Sequence, residues 1–209
     1  MTLFYIDTTS KYLYTGIVKD NQLIASRKEN LGKELSIYTV NIVSDMFNEV
    51  NIKPGMIDKI IVVNGPGSFT GIRIGVTLAK IFAWSLNIPI TTITSLEAMA
   101  KSIKTDKLIV PIINARREAC YAAIYDGDKV LLPGEYLTIE KLKMILMGLN
   151  KEYVFVSNDS FSFEVEKYDP DILNIVLTYQ NKEEINPHLV NPSYLKLTEA
   201  EENRIKDND

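Results

Sequence analysis

The sequence predicts an α/β protein, and three observations carry the prediction. Short β-branched runs alternate with longer segments of helical apolar spacing, and the first 30 residues hold three strands before any helix. The third is the stretch from Asn64 to Gly75, which packs four of the ten glycines into the joint between a buried strand and an apolar helix.

Leu3 to Ile6 is a short apolar strand ending at Asp7-Thr8-Thr9-Ser10, and Tyr12 to Val18 and Gln22 to Lys28 follow as strands joined by Lys19-Asp20-Asn21. So short a joint makes an antiparallel meander. Glu34 to Val50 turns helical, Ile57 to Val63 is a buried strand, and Thr70 to Leu86 is a second helix stopped by Asn87-Ile88-Pro89. Ile90 to Ile93 is a further strand, and Ser95-Leu96-Glu97 starts a third helix running to about Lys101. The polar segment Lys101 to Lys107 marks a boundary, which predicts one unit over residues 1–103 and a smaller one over 104–209. In the second unit Leu108 to Ile113, Ala119 to Tyr125, Tyr153 to Val156 and Ile172 to Leu177 read as strands, Asp126-Gly127-Asp128 as a hairpin turn, and Ile139 to Leu149 as a helix. Asn186-Pro187 and Asn191-Pro192 are loop signals, and Glu199 to Asp209 is a polar tail. The chain shows no long repeat.

At 209 residues, 46% hydrophobic and 24% charged, the chain has too much apolar material for disorder. A net charge of −4, with Lys and Arg spread along the chain, argues against non-specific binding of RNA or DNA by this chain alone. Cys120 is the single cysteine, which excludes an internal disulfide, and no basic stretch precedes an apolar one at the N-terminus. We therefore expect a cytoplasmic protein. No apolar run approaches the roughly 18 residues that span a bilayer, so no membrane segment is expected.

On the first helix Leu35, Tyr38, Val40, Ile42, Val43, Met46, Phe47 and Val50 fill an arc of roughly 200°, about twice what one packing partner requires. On the second, Gly71, Gly75, Ala79 and Ala83 recur every fourth residue as a small-residue groove, and the rest is apolar apart from Arg73, Thr77, Lys80 and Ser85. Two readings stand open: helix packing within the chain, or a partner interface built from Tyr38, Ile42, Met46, Gly71, Arg73, Gly75, Ala79, Lys80 and Ala83.

Gly65-Pro66-Gly67 permits positive φ on either side of a proline, and Ser68 or Thr70 caps the helix that follows. Such a turn is either a phosphate cradle or a tight strand-to-helix joint. Asp7 at the end of the first strand suits a phosphate or hydrated Mg²⁺ as well as it suits a plain turn. A nucleotide site would therefore draw on Asp7, Thr8, Gly65, Gly67, Ser68 and Thr70. Arg116 and Arg117, within Asn114-Ala115-Arg116-Arg117-Glu118, offer two guanidiniums to an anion or to solvent. His188 is the only histidine, which supports neither a histidine metal cluster nor a Ser-His-Asp triad, and Cys120 reads as a buried structural thiol. No catalytic residue and no metal site is expected.

Several motifs follow one another in a distinctive order. They are Ile6-Asp7-Thr8-Thr9, Gly65 to Gly75, Ile88-Pro89 with Ser95-Leu96-Glu97-Ala98, Asn114 to Glu118 with Tyr121-Ala122-Ala123, and Pro192-Ser193-Tyr194-Leu195-Lys196. With them the chain resembles the TsaB (YeaZ) family of bacterial tRNA-modification proteins over most of its length. The resemblance implies the actin-like ATPase fold of sugar kinases and heat-shock chaperones: two related α/β domains, each opening in a β-β-β meander. It implies a non-catalytic role in forming threonylcarbamoyladenosine next to the anticodon of tRNAs that read codons beginning with A. The implied partners are the catalytic paralogue TsaD, the ATPase TsaE and a second copy of the chain when alone, with tRNA reached through the complex. No cofactor of its own is implied; the alternative, a kinase or ATPase of the same fold, would bind ATP or ADP. Three departures from the family pattern stand out. Asn114 replaces the usual Asp before Ala-Arg-Arg, Lys33-Glu34-Leu35 stands where His-Ser-Glu is usual, and Thr9 occupies the position that ATP-hydrolysing relatives give to a phosphate-approaching glycine.

Overall fold

The computed structural model describes residues 1–196, so the polar tail expected at Glu199 to Asp209 lies outside the described residues. Its first sheet contains β1 (Thr2–Asp7), β2 (Tyr12–Lys19), β3 (Gln22–Asn30), β4 (Lys59–Val63) and β5 (Ile90–Ile93), in the order β3-β2-β1-β4-β5. The predicted meander pairs antiparallel, Ile6 opposite Thr15 and Tyr14 opposite Lys28, whereas β4 runs parallel to both β1 and β5. Parallel neighbours need crossovers, which α1 (Leu35–Glu49) and α2 (Phe69–Leu86) supply. Alternation along β1 then explains the core. Phe4 and Ile6 pack under the two helices with Met46, Phe47, Ile72 and Val76, while Leu3 and Tyr5 face the other way. A strand buried on both faces is why Leu3 to Ile6 is continuously apolar.

The second sheet, β8-β7-β6-β9, repeats the scheme. β6 (Leu108–Asn114), β7 (Ala119–Asp126) and β8 (Lys129–Thr138) form a second meander, α4 (Ile139–Leu149) crosses over, and β9 (Tyr153–Val156) lies parallel to β6. The duplication is of topology, without the long repeat in sequence that would have announced it. Cys120 is fully buried beneath α4 among Val110, Ala122 and Leu142, and burial pushes its thiol up to about 11. Between the sheets lies α3 (Ser95–Ala100), whose cap is Thr94 in a reciprocal box with Glu97 rather than Ser95.

Residues Ile172 to Leu177, read as a strand from their apolar run, are helical: α5 spans Ile172–Tyr179. Five apolar residues in six, interrupted only by Asn174, fit either period. Asp171 decides the matter by accepting from Asn174 N–H at 3.0 Å, and Ile172, Ile175 and Val176 bury together as one helical face. That face packs on β1, β2 and β3, so this segment lies against the first sheet although the sequence division places it in the second unit. The chain then runs along the first sheet's edge, Ile185 N–H donating to Ile90 O at 2.8 Å, and Ser193 N–H donates to Asn64 O at 2.7 Å.

The structure bears on two readings of α2. At 18 residues it is long and apolar enough, by length and composition, to cross a membrane, although the sequence reading expected no such segment. Its inner face and its ends are nevertheless accounted for within the fold. Ile72, Val76, Ala79 and Ala83 are buried in the core, Ser68 accepts from Gly71 N–H at 3.2 Å, and left-handed Asn87 closes the C-terminus. The small-residue stripe of Gly71, Gly75, Ala79 and Ala83 is likewise no groove for a second chain, because all four residues are buried inside this one.

Candidate functional site

A cleft of about 590 Å³ opens between the two sheets, with Asp7, Thr9, Gly67 and Ser68 on one wall and Asn114, Ser157 and Asn158 on the other. Asp7 ends β1 and is only 3% exposed. Its Oδ1 accepts from Thr9 N–H at 2.8 Å and from Thr9 Oγ1 at 2.7 Å. Burial nonetheless outweighs these bonds and raises the carboxyl from its ordinary 3.8 to about 6. An acid raised on folding favours the folded state most below its unfolded value, and the advantage disappears as pH climbs through the folded one. Wild-type stability should therefore fall between about pH 4 and pH 6, by about 3 kcal/mol from this group. Asp7→Asn keeps the acceptor for Thr9 and cannot ionise, so it should be more stable than wild type at pH 7 and show no such decline. Urea unfolding across that pH range checks both.

The glycine turn is knitted to the turn after β1. Gly65 and Gly67 have φ of 118° and 155°, and a Cβ on Gly67 would stand 2.2 Å from Thr9 O, where Ser68 N–H already donates at 2.6 Å. Thr8 Oγ1 donates to Gly71 O at 2.6 Å and accepts from Gly75 N–H at 3.0 Å, which ties β1 to the first turns of α2. Of the six residues expected at a nucleotide, Asp7, Gly67 and Ser68 line the cleft, whereas Thr8, Gly65 and Thr70 do not. Thr8 is buried in that tie, Gly65 lies under Ser193 O, and Thr70 is exposed elsewhere. Arg116 and Arg117 also stay out of the cleft, on the turn between β6 and β7, although Asn114 beside them lines it and accepts from Arg116 N–H at 2.8 Å.

The sequence reading missed Ser157, Asn158, Asp159 and Ser160 after β9, together with Tyr168. A signal for the first four existed. Asn64 to Ser68 follow β4 as these residues follow β9, so a duplicated topology would have placed both polar strand ends at one cleft. Nothing in the sequence marks Tyr168.

A second surface lies on the far side of α1 and α2. Among the predicted interface residues Met46 is fully buried and, with the four of the small-residue stripe, cannot meet a partner. Tyr38 and Arg73 are exposed, and Ile42 and Lys80 are half-buried. The outward apolar residues the prediction omitted are Ile37, Val40, Ile81 and Trp84; with Tyr38 they are 42 to 66% exposed. Ile81 and Trp84 share a helical face with Arg73 and Thr77, at spacings of four, four and three, so two of the helix's polar residues lie on its exposed apolar side. Arg73 is held in place, its guanidinium 3.8 Å from the Phe69 ring centroid and its Nε donating to Tyr194 Oη at 3.0 Å.

Two sheets of the same β-β-β-α-β build, facing one another across a cleft at the ends of β1 and β6, define a protein of the actin-like ATPase fold. The family model described as TsaD, tRNA N6-adenosine threonylcarbamoyltransferase, matches residues 28–157. The tRNA threonylcarbamoyladenosine biosynthesis protein TsaB of Bacillus subtilis is 32% identical over 221 residues, 96% of each chain, and that of Buchnera aphidicola from Schizaphis graminum is 27% identical over 88% of this chain and 90% of its own. YeaZ from Pseudomonas aeruginosa superposes with a TM-score of 0.69 at 16% identity, covering 93% of this chain and 99% of its own. A further crystal structure, of a Pseudomonas aeruginosa protein similar to the peptidase YeaZ, gives 0.80 at 17% identity with the same coverage. This chain belongs to the TsaB (YeaZ) family.

Proposed function

We propose that this chain is the non-catalytic subunit needed to form threonylcarbamoyladenosine next to the anticodon of tRNAs reading codons that begin with A, and that it acts by pairing with a TsaD-type catalytic paralogue. The observation that carries the reading is the outer face of α1 and α2. Ile37, Tyr38, Val40, Ile81 and Trp84 stand exposed together on two adjacent helices, an apolar surface of the kind that marks a protein interface. The same face serves a second copy of the chain when the paralogue is absent, and a TsaE-type ATPase and tRNA join through the assembled complex.

The cleft supports a non-catalytic role. Groups that an ATPase of this fold would turn toward phosphate are engaged within the chain: Ser68 N–H by Thr9 O, the Thr8 hydroxyl by Gly71 and Gly75, and Asp7 Oδ1 by Thr9. Tight ATP binding with turnover by the isolated chain, followed by calorimetry, would overturn this reading in favour of a kinase or ATPase. The decisive experiment is depletion in the cell followed by nucleoside analysis of bulk tRNA. Threonylcarbamoyladenosine should fall to near zero and return with the wild-type chain; an unchanged level would remove the chain from the pathway.

A further inference from the structure

Arg116, Arg117 and Glu118 are three successive left-handed residues, with φ of 64°, 50° and 56°, in the turn between β6 and β7. None is the glycine or asparagine that such backbone favours, so the turn keeps its side chains at a conformational cost. It is also firmly held. Ala115 N–H donates to Ala119 O at 3.0 Å, Ala119 N–H to Arg116 O at 2.9 Å and Ile139 N–H to Glu118 O at 2.9 Å, while Asn114 fixes Arg116 N–H from below. Both guanidiniums are exposed, and neither enters an ion pair among the described residues. Of the nearby carboxylates, Glu118 shares the turn and Asp159 is taken up by Asn114 N–H at 2.8 Å.

Two residues along the strands from this turn, about 7 Å away by strand rise, Tyr121 on β7 sits opposite Tyr136 on β8. Their ring centroids are 5.6 Å apart, Tyr121 lines the cleft, Tyr136 is exposed, and Lys196 Nζ lies 5.1 Å from the Tyr136 centroid. Two exposed guanidiniums carried on a fixed turn, with a solvent-facing aromatic ring a short way along the adjoining strands, form a constellation for nucleic acid: planar forks for phosphate, and a π-face for an unpaired base. A stacking platform selects single strands and loops over duplex, whose bases are already stacked. The confinement of these cations to one rim of a chain with net charge −4 makes the contact local rather than a general attraction to polyanions.

We propose that this rim binds single-stranded RNA, with phosphates on Arg116 and Arg117 and an unpaired base on Tyr136. The choice of RNA over an acidic protein segment rests on the chain's membership of a family named for tRNA modification, and not on its pairing with a paralogue. The test is fluorescence anisotropy of the isolated full chain with a labelled RNA hairpin carrying an open loop, alongside a blunt duplex with the same number of phosphates. Arg116→Gly/Arg117→Gly is the informative variant, because glycine relieves the left-handed backbone and the protein should fold at least as well as wild type. The wild-type chain should prefer the hairpin. The double variant should lose about tenfold in affinity at about 50 mM salt, and its log–log salt slope should flatten by about 1.4, the amount expected for two single-strand phosphate contacts. Tyr136→Ala should weaken hairpin binding about tenfold and leave the slope unchanged. No hairpin binding by wild type, an unaltered slope in the double variant, or displacement of RNA by polyglutamate of equal charge would each overturn the proposal. Pairing of the double variant with the paralogue, measured without RNA, should match wild type, which separates this contact from the interface on α1 and α2.

Discussion

Replacing Gly71 by alanine should destabilise this protein by about 2 kcal/mol, even though alanine is the better helix former by roughly 1 kcal/mol. Two effects of opposite sign meet at the position. In an exposed helix the substitution is favourable, because glycine loses more backbone freedom on folding. Here a Cβ would stand 2.0 Å from Thr8 O, and the obstacle is main chain at the end of a central strand rather than the tip of a flexible side chain. Either α2 moves off β1 or the turn after β1 deforms, and both break the bonds from Thr8 Oγ1 to Gly71 O and from Gly75 N–H to Thr8 Oγ1. Thermal unfolding should show a fall of about 4 to 8 °C for a chain of this size. A variant as stable as wild type, or more so, would mean that helix propensity wins and that this contact is not tight. Gly75→Leu and Ala79→Arg should fail still more severely, by unfolding the chain, which makes them unsuitable for testing association.

Trp84→Ala and Ile81→Asp should do the opposite, leaving the isolated chain within about 0.5 kcal/mol of wild-type stability while weakening its pairing on the order of 100-fold. Both side chains project from α2 on the face away from the sheet, Trp84 at 66% exposure and Ile81 at 53%. Little of the fold's own burial is lost with them. In an interface the terms reverse: a tryptophan enclosed by a partner belongs to the small set of residues whose truncation costs about 2 to 4 kcal/mol, and an aspartate in place of Ile81 would be buried without a partner. Calorimetric titration against the TsaD-type paralogue, with sedimentation of the chain alone, measures both associations. Undiminished pairing of Ile81→Asp would take this face out of the interface.

Much of the fold was legible because burial on both faces of β1 and β4 leaves continuous apolar strands, and because short polar joints fix the meanders. The helical content of Ile172 to Leu177 was not legible, since five apolar residues in six fit either period and the cap lies one residue outside the run. The stripe from Gly71 to Ala83 was read correctly as a place where backbone comes close. Spacing shows that such an approach occurs, but not whose backbone arrives, and it is Thr8 of the same chain. One wall of the cleft was announced by Asp7 and the glycine turn. The other depends on Ser157 to Ser160, whose position follows from a duplication of topology that no repeat in the residues announces, and on Tyr168, which nothing in the sequence marks.

Helix α5 gives this chain an unusual order of assembly. The inner face of the first sheet, with Leu3, Tyr5, Tyr14 and Val18, is covered by Ile172, Ile175 and Val176, and its edge by Ile185. Domains commonly fold in the order in which they are synthesised. Here the N-terminal sheet leaves the ribosome first yet waits for nearly the last part of the chain before its core closes, while β6 to β9 can pair with α4 in the interval. The earliest residues made are thus among the last to be sealed from water, and a nascent chain halted before α5 would present an open apolar sheet to whatever chaperone holds it.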